Sequence, residues 1–120
     1  MLRATSSAKA KAARIISDLR SQKAAVAVYQ VDEGVGAPTP SLDDLRKHMD
    51  RTIPAGYNVG DKDHYWFVFY DDTALGGSGL AKSLANSAQD IGLYRSMVAS
   101  PDLEPYTGVH GENTVYMRVH

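Results

Sequence analysis

The chain has 120 residues, no cysteine and a formal net charge of −1 at pH 7. Its length suits a single domain, 1–120, and the lack of cysteine excludes disulfide bridges, thiolate metal sites and a cysteine nucleophile. It contains no run of about eighteen apolar residues, which excludes a transmembrane helix within residues 1–120.

Residues 1–30 predict one long helix, because they include no Pro, Gly or Asn and are rich in alanine. Apolar residues recur along this segment at spacings of four, three, four, seven and three, which indicates one buried side. The members of this stripe are Ala8, Ala12, Ile15, Leu19, Val26 and Tyr29.

The two halves of this helix differ in side-chain size. Large apolar side chains occur from Ile15 to Tyr29, whereas residues 1–13 carry small, polar and basic side chains after Leu2. We therefore expect the second half to hold a head formed by residues 31–120 and the first half to project as an assembly stem. An N-terminal helix that simply frays is the alternative. The expected head-packing residues are Ile15, Leu19, Val26 and Tyr29, and the expected stem residues are Arg3, Ala8, Lys11 and Ala12.

Charge divides the chain in the same way. Residues 1–30 hold six Lys or Arg and one Asp, a net +5, whereas residues 31–120 hold seven Lys or Arg and thirteen Asp or Glu, a net −6. A basic rod with an acidic head suits nucleic acid, anionic lipid or packing between copies of the chain. The basic side chains are spread round the helix, which disfavours a nucleic-acid-binding module.

The next segments predict a loop, a short helix and a turn. Two Gly and two Pro mark residues 31–40 as a loop. Ser41 and Asp44 form a capping-box pattern at the start of a helix over Leu42–Asp50. The sequence NVGDKD at residues 58–63 predicts a turn.

Strands and a second short helix account for the remainder. HYWFVFY at residues 64–70 predicts a central strand, because it is aromatic and apolar on both faces. Apolar residues at helical spacing predict a helix between Ser78 as N-cap and Gly92 as stop. Strands at Leu93–Val98 and Thr114–His120 follow as a loose hairpin. The expected fold class is α+β, with the long helix packed on a small antiparallel sheet of about three strands and two short helices.

A glycine-rich turn at residues 76–83 comes near a nucleotide-binding motif. GGSGLAKS follows a strand and opens a helix, as a phosphate-binding loop does, but Ala81 stands where that motif needs Gly. The chain also lacks the alternating strand–helix series of nucleotide-binding sheets. A turn before a capped helix is therefore favoured over a nucleotide site, and we expect no enzyme activity, no cofactor and no small-molecule substrate.

Two acidic pairs offer carboxylate oxygens to a calcium ion. They are Asp61 with Asp63, and Asp71 with Asp72. Neither pair has EF-hand spacing, so solvated turns are favoured and calcium is kept as the alternative. The four histidines show no metal-ligand spacing.

A basic, alanine-rich helical pattern leads to an aromatic residue, an acidic-Gly turn, a proline-containing loop and a short helix. It covers about the first fifty residues and resembles the outer half of the long N-terminal helix of type IV pilins and type II secretion pseudopilins. The residues that carry the resemblance are Ile15, Ile16, Asp18, Leu19, Arg20, Lys23, Ala24, Ala25, Tyr29, Glu33 and Gly34, then Pro38, Pro40 and Leu42–Asp50.

The resemblance implies a pilin-like structural subunit that self-associates through its N-terminal helix. The filament would be an extracellular or periplasm-spanning type IV pilus-like fibre at the cell surface, with the major pseudopilin of a type II secretion system as the alternative. The printed sequence lacks the apolar first half of the family's helix and the C-terminal disulfide of many pilins. We expect the gene to encode an apolar run of about twenty residues ahead of Met1, which would anchor the subunit in the inner membrane before assembly.

Overall fold

The computed structural model describes residues 2–34, 38, 40–47, 49, 54–62, 65–97 and 103–119, with the backbone alone for residues 2–6 and 42. Three helices and four strands form two layers, with the helices packed on one face of the sheet. The elements in chain order are α1 (Leu2–Glu33), α2 (Leu42–Arg46), β1 (Tyr57–Lys62), β2 (Tyr65–Asp71), α3 (Gly79–Ile91), β3 (Leu93–Tyr94) and β4 (Thr114–Arg118).

Helix α1 runs along the whole molecule. A helix of 32 residues is about 48 Å long, and the longest dimension of the described structure is 48 Å. The helix continues three residues beyond the predicted end, so the predicted loop begins later than residue 31. Gly34, at φ +92°, then ends it, and its N–H donates to the Gln30 carbonyl over 2.9 Å.

The sheet is antiparallel and has the order β1-β2-β4-β3, which confirms the α+β class and the central place of β2. The prediction of a turn at residues 58–63, and with it the estimate of about three strands, was wrong. Strand β1 pairs with β2 from Tyr57 opposite Tyr70 to Lys62 opposite Tyr65. An edge strand needs hydrogen bonds on one side only, so the regular ladder of β2 outweighs the poor strand propensity of Asn, Gly and Asp.

Strand β2 is buried on both faces, as its sequence predicts. Val68 points into the main core under α1, whereas Phe67 points to the opposite face and is also fully buried. The Tyr116 ring meets Phe67 edge-on at 6.5 Å between centroids. Met97 covers the same face beside Gly60, where an added Cβ would lie 3.4 Å from its Sδ. A second, smaller apolar cluster therefore lies on the face of the sheet away from α1.

The two short helices have the predicted caps. The Ser41 N–H donates to Asp44 Oδ2 over 3.1 Å and the Asp44 N–H donates to Ser41 Oγ over 3.2 Å. Helix α2 is shorter than predicted and ends at Arg46, and Asp50 lies outside the described residues. In α3 the Ala81 N–H donates to Ser78 Oγ, and Gly92 ends the helix in the left-handed conformation.

The connection between β3 and β4 is long, and side-chain hydrogen bonds hold part of it in place. Strand β3 covers only Leu93 and Tyr94 of the predicted Leu93–Val98. The Glu112 carboxylate accepts hydrogen bonds from the Thr107 N–H and hydroxyl, over 3.0 and 2.7 Å, and from the Gly108 N–H over 3.2 Å. The half-buried Glu112 carboxylate thus holds the Thr107–Gly108 part of the connection by hydrogen bonds.

Gly108 provides a test of how this connection packs on α3. Its φ is +73°, and an added Cβ would lie 2.7 Å from the backbone oxygen of Ala81. Gly111 has a φ of +93° with nothing within 4 Å of the same position. Because both substitutions strain the backbone but only one creates a clash, Gly108→Ala should lower the free energy of unfolding by about 1–3 kcal/mol more than Gly111→Ala. Urea denaturation measures both, and equal losses would contradict the packing.

Candidate assembly surface

The inner side of α1 forms the centre of the core. Ile15, Leu19 and Val26 are buried, at 6%, 0% and 0% exposure. Tyr29 is half-buried, and its ring lies 6.2 Å from the Trp66 ring between centroids. The four residues expected to pack on the head therefore all lie on the covered side of α1.

Two polar residues on the same side of α1 are buried as well, and sequence reasoning missed both. Asp18 accepts a hydrogen bond from the Tyr57 hydroxyl over 3.0 Å, and Gln22 Nε2 donates to the Asn58 carbonyl over 2.6 Å. Both partners belong to β1, the strand that the sequence did not predict. The seven-residue gap between Leu19 and Val26 was the available signal, because a continuous helix side requires a buried residue near position 22.

A cleft opens beside the Asp18–Tyr57 hydrogen bond. Its volume is about 290 Å³, and α1 contributes Lys11, Arg14 and Asp18 to its wall. Tyr70 lies across the cleft, and its hydroxyl donates to Asp72 over 3.2 Å. Burial, reinforced by the negative charge of Asp18, raises the pKa of Tyr57 above its ordinary value. The tyrosine hydroxyls at this cleft donate hydrogen bonds to carboxylates, and the bond from Tyr57 to Asp18 connects the sheet to α1.

The opposite side of α1 is exposed from Ala13 to Val31, and we call it the outer side. Its residues recur at spacings of four, three, four, four and three, so they lie in one row. Val28 is 46% exposed and Val31 is 83% exposed. The row consists of Ala13, Ser17, Arg20, Ala24, Val28 and Val31.

A groove runs beside this row, between α1 and α3. Its volume is about 580 Å³, and we call it the α1–α3 groove. Half-buried Ile16 and Ile91 form its apolar floor. Ala13, Ala24 and Arg20 line the α1 wall, where short alanine side chains keep the groove open.

The head covers α1 further toward the N-terminus than predicted, as far as Ala8. Ala12 is 4% exposed and belongs to the core, and Ala8 is half-buried with its Cβ 3.9 Å from where a Cβ on Gly79 would lie. Glycine and alanine at the contact let α3 approach α1 closely, which extends the head over these residues. Lys11 is exposed, whereas the Arg3 side chain lies outside the described residues. The assembly role of these residues stays a prediction.

The two acidic pairs do not converge on one site. Asp61 lies opposite Trp66 in the ladder and Asp71 lies five residues further along β2, which separates them by about 17 Å. Asp71 Oδ1 accepts from the Thr114 hydroxyl over 2.6 Å, and Asp72 Oδ1 accepts from the Ala74 N–H over 2.9 Å. Asp63 lies outside the described residues. Within the described part, no group of three or more metal-ligating side chains comes together.

The glycine-rich turn before α3 is packed as a structural corner. An added Cβ on Gly76 would lie 2.7 Å from the Val109 carbonyl, and the Gly76 N–H donates to Asn113 Oδ1 over 2.9 Å. Ala81, which replaces the motif glycine, is fully buried.

Among the described helices, none has both the length and the apolar character needed to cross a membrane.

Tyr57→Phe tests the buried link between α1 and β1. It removes the hydroxyl that donates to Asp18, whose side chain stays buried. We expect the free energy of unfolding to fall by about 1–3 kcal/mol. Tyr70→Phe is the matched control: its bond to Asp72 is longer and less buried, so the loss should be about 0.5–1 kcal/mol. A loss at Tyr57 no larger than at Tyr70 would contradict the assignment.

The same variant should reveal the raised pKa of Tyr57. The folded state keeps this phenolic proton to higher pH than the unfolded chain, whose tyrosines titrate near pH 10. Its contribution to stability is therefore complete below about pH 10 and is lost as the pH rises above that value. The stability difference between the unmodified chain and Tyr57→Phe should narrow in denaturation measured at about pH 11 compared with about pH 8. A constant difference would contradict the pKa shift.

The architecture is similar to that of a solved filament subunit. The structure of the major type IV pilin PilA1 from Clostridium difficile has a TM-score of 0.65 and 20% sequence identity, covering 96% of this chain and 98% of that chain. No protein-family model matches the chain, and no curated protein matches it. The long helix, the antiparallel sheet and the short helices therefore together form the fold of a type IV pilin.

Proposed function

We propose that this chain is the structural subunit of an extracellular type IV pilus-like filament and performs no catalysis. The observation that carries the proposal is the likeness to a major pilin over nearly the full length of both chains. A match of this extent includes the long helix as well as the head. A chance similarity between two small sheets would not extend over the helix.

The shape of the molecule suits this role. Helix α1 spans the full 48 Å of the described structure, and the head covers only one side of it. A helix of this kind offers a continuous surface to other copies, and two exposed valines and a groove lie on its outer side. In the proposal the subunit is first held in the inner membrane by an apolar segment encoded ahead of residue 1.

Deletion of the gene, combined with immunogold labelling, tests the proposal. Antibodies raised against residues 1–120 should label surface filaments along their length in the parent strain. The deletion strain should lack those filaments, and the restored gene should return them. The matched control is a restored gene carrying Val109→Asp, a change at an exposed head residue outside the helix and its groove.

Two outcomes would change the assignment. Filaments that persist in the deletion strain without labelling would contradict the proposal. Loss of protein secretion without loss of any surface filament would instead make the chain the major pseudopilin of a type II secretion system.

A further inference from the structure

We propose that four exposed cations at the end of the head nearest residue 1 bind the headgroups of anionic phospholipids while the subunit is held in the membrane before assembly. They are Lys9, Lys11 and Arg14 of α1 and Lys82 of α3, and we call them the basic collar. The partner is the planar lipid surface that surrounds the anchored helix. The collar rests on the proposed function, because that function places an apolar anchor ahead of residue 1.

The members of the collar lie at one level along α1. Lys9 and Arg14 are five residues apart, or about 7.5 Å along the helix axis. Lys82 directly precedes Ser83, and Ser83 and Lys9 together line a hollow of about 260 Å³ between α3 and α1. The spread along the axis is about one Debye length at physiological ionic strength, so one charged plane can act on all four cations.

The cations of the collar point to different sides of α1. Lys9 lies on the side that faces α3, whereas Lys11 and Arg14 line the cleft beside Tyr57. At about 100° per residue, Lys9 and Lys11 are about 160° apart round the helix. A DNA duplex or a neighbouring head approaches from one side and would reach only part of the collar. A flat surface perpendicular to the helix reaches every member at once, and a membrane is such a surface.

The positive charge of the collar is available to a ligand. All four side chains are exposed, and none of them forms an ion pair within the described part of the chain. Asp72 also lines the cleft, but its carboxylate accepts hydrogen bonds from the Tyr70 hydroxyl and the Ala74 N–H. The whole chain carries −1, so the residues outside the collar carry −5. An anionic surface therefore attracts the collar and repels the rest of the molecule.

The collar determines how the head stands on the membrane before assembly. Helix α1 continues for about 28 Å from Arg14 to its end at Glu33. Exposed Asp32 and Glu33 are therefore several Debye lengths from the headgroups when the collar touches them. The head is held upright and clear of the lipid. A subunit that enters the filament must leave these contacts, so the fraction of anionic lipid affects how readily it leaves the membrane.

Co-sedimentation of the 120-residue chain with lipid vesicles tests the collar. At about 0.1 M salt the chain should bind phosphatidylglycerol vesicles and ignore phosphatidylcholine vesicles, and higher salt should weaken the binding. Each Lys or Arg at an anionic surface strengthens binding about fivefold, so Lys9→Gln combined with Lys11→Gln should weaken binding at least about tenfold. Arg20→Gln combined with Lys23→Gln is the matched control. It removes the same charge about 17 Å further along α1 and should weaken binding less than about threefold.

Site-specific fluorescence tests which end of the molecule meets the lipid. The chain has no cysteine, so Ser7→Cys and Val31→Cys each provide a single labelling site at an exposed residue, one near the collar and one at the far end of α1. A polarity-sensitive dye at residue 7 should shift to shorter wavelength on phosphatidylglycerol vesicles, whereas the same dye at residue 31 should not. Circular dichroism and thermal unfolding establish that all variants keep the fold.

Four results would overturn the collar: no binding to phosphatidylglycerol vesicles, equal binding to phosphatidylcholine vesicles, equal losses in the two charge variants, or a larger dye shift at residue 31. A short DNA duplex that binds as tightly as the vesicles at the same salt would instead make these cations a nucleic-acid surface.

The outcome for the collar is separate from the outcome for the filament. Because immunogold labelling and gene deletion do not depend on lipid charge, the filament proposal can stand while the collar fails. Collar-dependent vesicle binding by a chain that labels no filament would mark the opposite case.

Discussion

The structure depends on burying one side of a 32-residue helix against a sheet that is much shorter than the helix. Most of the stability of a helix in a protein comes from packing of its apolar side, which in α1 includes Ala12, Ile15, Leu19 and Val26. The sheet and α3 both cover α1. Helix α3 packs on the N-terminal half of α1, where Gly79 lies beside Ala8. The other elements are arranged so that one side of α1 is covered and the opposite side stays exposed.

Polar groups fix the position of this packing. An apolar stripe alone permits the helix to slide or rotate, whereas Asp18 and Gln22 must reach defined partners on β1. A buried polar group without its partner is costly, so these two bonds favour one register over its neighbours. The edge strand β1, although short and poor in strand-forming residues, is thus essential to the placement of the helix.

Sequence patterns predicted the elements whose signals are local. The Ser41 capping box, the Ser78 and Gly92 helix limits and the double-sided strand β2 each depend on a few neighbouring residues. Strand β1 depends on its ladder with β2 and on Asp18 and Gln22 of α1, and the packing of Ala8 depends on Gly79; no pattern of neighbouring residues shows these contacts. The exposed valines were visible in sequence, but only the packed structure shows which side of α1 they occupy and that a groove runs beside them.

One long helix supports the head and, in the proposed filament, also contacts the neighbouring copies. Cryo-electron microscopy of filaments sheared from the cells that express this chain tests that claim most directly. The account predicts a helical array of this fold, with the N-terminal ends of α1 toward the axis, the heads outside and neighbouring α1 helices parallel. Filaments built of another protein, or an array with α1 on the outer surface, would contradict it.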